Sequence, residues 1–186
     1  MECRAPVEDF HGLTSVATIS RVAVYHFTYH AYRNWRPDHP RGYTPKGKGV
    51  QPPDPEMAQQ YDRNAKQDEI VFDAASQREL LLLMHSICED EGWRLECAGF
   101  DPGHAHLVVS WRGENEEWEE VDRRLKNLLA LKMNRRRNTP GKRWFVRRHG
   151  TVKRVERQDH CDYLLETYIP DHPGIFWKRG MDLPTE

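Results

Sequence analysis

Only three residues, Asp101-Pro102-Gly103, separate two apolar runs, Trp93 to Phe100 and His104 to Trp111. Asp can bond its own backbone, Pro presets φ and Gly is permissive, so a turn this short makes the two runs adjacent antiparallel strands. Whatever else the chain forms must be built around that hairpin. Val22 to Tyr32 (VAVYHFTYHAY) is β-branched and aromatic with a period near two, the pattern of a half-buried strand. Ser76-Gln-Arg-Glu79 has the form of a capping box, and Leu80, Leu83, Met84, Ile87 and Cys88 follow at helical spacing. That predicts a helix to about Glu91, stopped by Gly92. Trp118, Val121, Leu125, Leu128 and Leu129 give a second amphipathic helix, with acids before it and bases after it as the helix dipole prefers. Arg143 to Val155 alternates weakly around Trp144, Val146, Val152 and Val155, one more strand or hairpin. Cys161, Leu164, Leu165, Tyr168 and Ile169 predict a shorter helix, closed by Pro170 and Pro173. The order β, α, β, β, α, β, then α predicts an α+β fold: a ferredoxin-like antiparallel sheet with helices on one face, plus a C-terminal helix carrying Tyr168.

The chain has 186 residues, 38% hydrophobic and 31% charged, which suits one domain spanning residues 1–186 and excludes disorder throughout. The stretch at about 33–71 is rich in Pro, Gly and charge and reads as a loop insertion in that domain. No apolar run approaches the roughly 18 residues a membrane span needs, and the first residues lack a basic-then-apolar leader. A cytoplasmic, nucleoid-associated protein with no membrane partner is expected. Cys3, Cys88, Cys97 and Cys161 form no CxxC pair and read as reduced thiols. The formal net charge of −1 conceals a segregation, because Arg123 to Val155 holds 13 Lys or Arg and no Asp or Glu.

Two features can carry chemistry. His104-Ala-His106 begins a strand, where alternate residues share a face, so both imidazoles can address one metal ion. An isolated HxH supplies only two ligands, and strand histidines commonly face solvent or pair with carboxylates. Tyr168-Ile-Pro-Asp-His172 places a phenol and an imidazole one helical turn apart on one face, although a tyrosine at a helix end is commonly a core or rim residue and Pro170 disturbs the turn. His26 and His30 can share a face of the first strand, which leaves a metal role conceivable, although a structural role is the simpler reading.

Together these residues resemble a known family. His104-Ala-His106-Leu-Val-Val is similar to the histidine-hydrophobe-histidine (HUH) motif of single-tyrosine transposases, particularly the REP-associated tyrosine transposases. The strand ending Thr28-Tyr-His-Ala-Tyr32, the Gly92-Trp93 turn, the Leu125-Lys126 helix and Tyr168-Ile169 follow in similar order, over roughly Val22 to Gly174. The resemblance implies a metal-dependent endonuclease and transposase acting on single-stranded or hairpin DNA. His104, His106 and a side chain from the tyrosine helix would hold Mg²⁺ or Mn²⁺, and Tyr168 would attack the scissile phosphate, keeping the 5′ phosphate and releasing a 3′ hydroxyl. The position matching the third ligand, commonly Gln or Asn, is His172, and Tyr163 is the alternative nucleophile. Relatives act as monomers or homodimers, so the resemblance leaves both open.

The chemistry is sensible without the family name. A metal that neutralises a nonbridging oxygen relieves the repulsion that protects a phosphodiester, and a phosphotyrosine conserves the bond for rejoining. The basic strip supplies the affinity, since each neutralised phosphate releases counterions. Within it Lys126, Arg135, Arg136, Arg137, Arg143, Arg147 and Arg148 are candidates to hold backbone, with Trp144, beside Phe145, as a candidate to stack unpaired bases. A solvated basic face with Trp144 and Phe145 in the core is the plainer alternative. A domesticated DNA-binding protein that no longer cuts is the competing function. A two-histidine RNA-end phosphoesterase would need two HxT or HxS motifs, which the chain lacks.

Overall fold

The computed structural model describes residues 22–34, 36–45, 48–112, 117–146 and 150–185. Its elements run β1 (Val22–His30), α1 (Pro55–Arg63), α2 (Ala74–Asp90), β2 (Arg94–Phe100), β3 (His104–Arg112), α3 (Trp118–Arg136), β4 (Val152–Arg154), α4 (Gln158–Tyr163), a π-helical turn (Leu164–Tyr168) and β5 (Phe176–Lys178). The five strands form one antiparallel sheet in the order β4-β1-β3-β2-β5. The first four keep the ferredoxin-like order, and β5 extends the β2 edge.

Side-chain alternation sends the strands' residues to two layers. Phe27, Tyr29, Ala105, Leu107 and Val109 join Leu80, Met84, Ile87, Leu125 and Leu129, so α2 and α3 cover one face. On the other face Cys97 and Val108 pack with Cys161, Leu164 and Ile169 of the C-terminal segment. The middle of β1 is therefore buried on both sides, not half-buried, and His26 and Thr28 lie under that second layer. β2 reaches both layers through a bulge: Leu95 pairs with Val109 but Cys97 with Val108, leaving Glu96 as the extra residue.

Several local expectations are revised. The N-cap of α2 is Asp73, whose carboxylate accepts from the Ser76 backbone N–H, so Ser76 lies inside the helix rather than at its start. Asp ranks with Ser at this position and adds a charge that the helix N-terminus favours. The stretch 33–71 is not a bare loop. It holds α1, capped by Asp54 with Pro55 in its first turn, and a bridge between Tyr43 and Gln51. The weak alternation of 143–155 resolves into a bridge from Phe145 to Ala31 and the short β4. Cys88, Cys97 and Cys161 are free thiols in the interior, while Cys3 lies outside the described residues. No helix among the described residues is long and apolar enough to cross a membrane.

Candidate metal centre and tyrosine

The β1–β3 register puts Thr28 opposite His106 and His30 opposite His104, all on the face covered by the C-terminal segment. That segment adds His172. The ligand atoms of His104, His106 and His172 lie within 4.8 Å of one another, close enough to hold one metal ion.

Each imidazole is oriented through its Nδ1. Asp101 shapes the hairpin turn by accepting from the Gly103 and His104 backbone N–H groups, and its other oxygen lies 2.9 Å from His104 Nδ1. His172 Nδ1 donates to the Tyr168 carbonyl at 3.0 Å, which fixes its tautomer because a carbonyl only accepts. His106 Nδ1 lies 3.0 Å from His26 Nε2 and 3.2 Å from Thr28 Oγ1. All three rings thus keep Nε2 for a ligand, the arrangement in which outer partners set the direction of metal-binding imidazoles.

The His106 Nε2 atom tests the fit to a metal. It is buried, belongs to a residue only 3% exposed, and has no hydrogen-bond partner. A buried polar atom left unpaired costs roughly 1–3 kcal/mol, which a cation at this position would relieve. The electrostatics agree, since a metal needs neutral imidazole. Burial, aided by the neighbouring histidines, holds His106 far below the usual histidine range. Burial, then Lys153, brings His26 down to about 4. His104 is also lowered by burial, with Asp101 opposing the shift.

Tyr168 stands beside the cluster, its ring centroid 5.2 Å from both His106 and His172. Burial, then Tyr163, raises its pKa, so the resting side chain is a phenol. Tyr163 is 52% exposed and reaches the Tyr168 ring at 6.0 Å. Pro170 lacks an N–H and would clash with the carbonyl four residues back in a regular α-helix. The chain widens instead: the Ile169 N–H donates to the Leu164 carbonyl five residues back, and the turn still delivers Tyr168 and His172 to one side.

Gly99 lets this segment approach. It pairs with His106 across β2 and β3, and a Cβ there would fall against Ile169 Cγ2 and 2.9 Å from the Ile169 carbonyl oxygen. That carbonyl also accepts from His172 Nδ1 at 3.3 Å. Only a residue without a side chain allows the tyrosine segment to lie directly on the sheet here.

The basic strip is less uniform in space than in sequence. Arg124 pairs with Glu91, Lys132 with Asp90 and Arg137 with Glu79, so part of it locks α3 and its C-terminal cap to α2. Lys126 is half-buried, with its ammonium over the Tyr29 ring. Arg135, Arg136 and Arg143 are exposed, while Arg147 and Arg148 lie outside the described residues. Trp144 corrects the expectation of an exposed stacking face. It is 2% exposed, donates its indole N–H to Asn134 Oδ1 at 2.9 Å, and is flanked by Arg137 and Lys142. Phe145 is likewise buried. Sequence reasoning missed the orienting roles of Asp101 and Thr28, and gave His26 a structural reading without its partner.

The site is thus a three-histidine cluster with an adjacent tyrosine on an antiparallel α+β sheet. No protein-family model matches the chain, and no curated protein matches it in sequence. Among solved structures, one described as a REP-associated tyrosine transposase bound to a REP hairpin is similar with a TM-score of 0.42 and 9% identity. The match covers 76% of this chain and 61% of that one, so this chain spans less than two thirds of its length. No family membership follows from a likeness of this size.

Proposed function

We propose that the chain is a metal-dependent nuclease and strand transferase for single-stranded DNA, acting as one domain in which Tyr168 is the nucleophile. The observation that carries this is the unpartnered, buried His106 Nε2 between two imidazoles that also present Nε2, with a phenol at the edge of the cluster. His104, His106 and His172 would hold Mg²⁺ or Mn²⁺, which when bound neutralises charge on a phosphate and fixes its orientation.

The chain's own residues supply the rest. Asp101, His26 and the Tyr168 carbonyl hold the three rings in place. Tyr168 Oη bonds to the phosphorus as the bond from phosphorus to the 3′ oxygen breaks. The phenol proton passes to solvent, and the departing oxygen takes one up as a 3′ hydroxyl. One phosphodiester is exchanged for another, so the step can reverse and rejoin strands without an external energy source. Tyr163, more exposed, is the rival nucleophile.

The test is a denaturing gel of labelled single-stranded DNA carrying a hairpin from the flanks of the native gene, with Mn²⁺ or EDTA. A protein–DNA adduct formed with Mn²⁺ and absent in EDTA is expected. Salt-sensitive binding with no adduct under any metal would overturn catalysis and leave a DNA-binding protein that does not cut.

A further inference from the structure

Outside the histidine cluster, a cavity of about 1080 Å³ lies between the 33–71 stretch, α3 and residues 142–146. Its volume lies at the upper end for ligand sites. Three tyrosines, Tyr32, Tyr43 and Tyr61, line it together with Lys126, Lys142 and Arg143, and no Asp or Glu is among its described lining residues. Tyr61 is 45% exposed although large and aromatic.

The walls are tied together. The Gln67 side-chain amide donates to the Arg143 carbonyl at 2.9 Å and accepts from the Arg143 N–H at 2.8 Å, joining the stretch to the far wall. The Ile70 N–H donates to the Tyr32 carbonyl, and Arg33 and Arg36 both bind the Asp62 carboxylate at the end of α1. At one end the lining includes His30, whose ring centroid is 5.5 Å from that of His104. One lining residue, His30, thus neighbours the histidine cluster.

Lysine and arginine side chains in a cavity wall favour a polyanion, and several aromatic faces at once favour flat, unpaired bases. We infer that this cavity is the binding site for unpaired nucleotides of the DNA substrate next to the cleaved phosphate, with the tyrosines stacking bases and Lys142 and Arg143 meeting the backbone. The inference rests on the proposed function for the identity of the strand, and it gives the 33–71 stretch a role as one wall of a substrate site.

The test uses the full chain and a fluorescein-labelled single-stranded thymidine 12-mer, with binding read by anisotropy in EDTA so that affinity does not depend on metal. Tyr61→Ala is expected to weaken binding roughly 5- to 160-fold, the range for loss of one stacking partner. Lys142→Ala and Arg143→Ala should each reduce the slope of log K against log salt by about 0.7. In parallel, 5-iodouracil in the oligonucleotide is expected to crosslink on irradiation to Tyr32, Tyr43 or Tyr61. Unchanged affinity in Tyr61→Ala with crosslinks only outside the cavity would overturn the inference, and an adduct still formed with Mn²⁺ would then leave the proposed function standing. Weakened binding and cavity crosslinks without any adduct would support the site while removing the catalysis.

Discussion

Gly99→Ala isolates the contact that seats the tyrosine segment on the sheet. The added Cβ would lie 2.9 Å from the Ile169 carbonyl oxygen and still nearer to Ile169 Cγ2. Carbon atoms pack at about 3.5–4.0 Å, so the segment must retreat by roughly an ångström. The retreating carbonyl is one that His172 Nδ1 is bonded to, and the neighbouring Tyr168 carbonyl holds the same nitrogen. Overpacking of this kind costs about 1–3 kcal/mol, so the variant should fold with a lowered melting temperature. Loss of a ligand's orientation typically weakens metal binding about 10- to 100-fold. Calorimetric titration of Mn²⁺ into metal-free protein should show that loss, and adduct formation should slow by about 10²-fold, the penalty for a misplaced reacting group. Removing the colliding methyl in Gly99→Ala with Ile169→Ala should recover part of the affinity. Wild-type Mn²⁺ affinity in Gly99→Ala would refute the claim that close approach at Gly99 positions His172.

Other outcomes follow from the same geometry. His106→Ala should abolish measurable Mn²⁺ binding, and His26→Ala should weaken it about 10- to 100-fold through lost orientation of His106, both by calorimetry; equal affinity in His26→Ala would exclude that positioning role. In metal-free protein, His26 titrates near 4 when folded, held down chiefly by burial, and near 6.5 when unfolded. The unfolded chain then binds the extra proton below about pH 6.5, so stability is full above that pH and falls by about 3 kcal/mol toward pH 4 from His26 alone. Urea unfolding at pH 7, 5 and 4 should show at least that loss, because burial lowers His106 and His104 as well, and His26→Gln should remove only the His26 share of it. Trp144→Ala should cost about 3–5 kcal/mol as a core truncation. A Trp144→Ala variant of unchanged stability in urea would show that the indole is not part of the core.

The sequence made the framework legible where signals were short-range. The Asp101-Pro102-Gly103 turn declared the hairpin, and period-two and period-four spacing declared β1, α2 and α3. His104 and His106 were visible because strand alternation puts them on one face whatever the rest does. Their supports were not, since which residues face His106 depends on the β1–β3 register and on Thr28 lying opposite it. β5 escaped notice because three residues after a Pro–Gly stretch show no period. The π-helical turn reflects long-range packing against Gly99 as well as Pro170, and sequence spacing assumes a regular helix. Trp144 was misplaced because a basic stretch with interleaved aromatics has the same composition whether its rings face bases or the core. Only the fold, which gives the indole Asn134 as a partner, separates the two.

The central claim is that Tyr168 forms the covalent bond, and its most direct test is to identify the residue that carries DNA. Wild-type protein would be incubated with the hairpin-bearing single strand and Mn²⁺, digested with nuclease and protease, and the nucleotide-bearing peptide sequenced by mass spectrometry. The account predicts a phosphodiester-linked nucleotide on Tyr168 and none after Tyr168→Phe. A nucleotide on Tyr163, or an adduct that survives Tyr168→Phe, would contradict it.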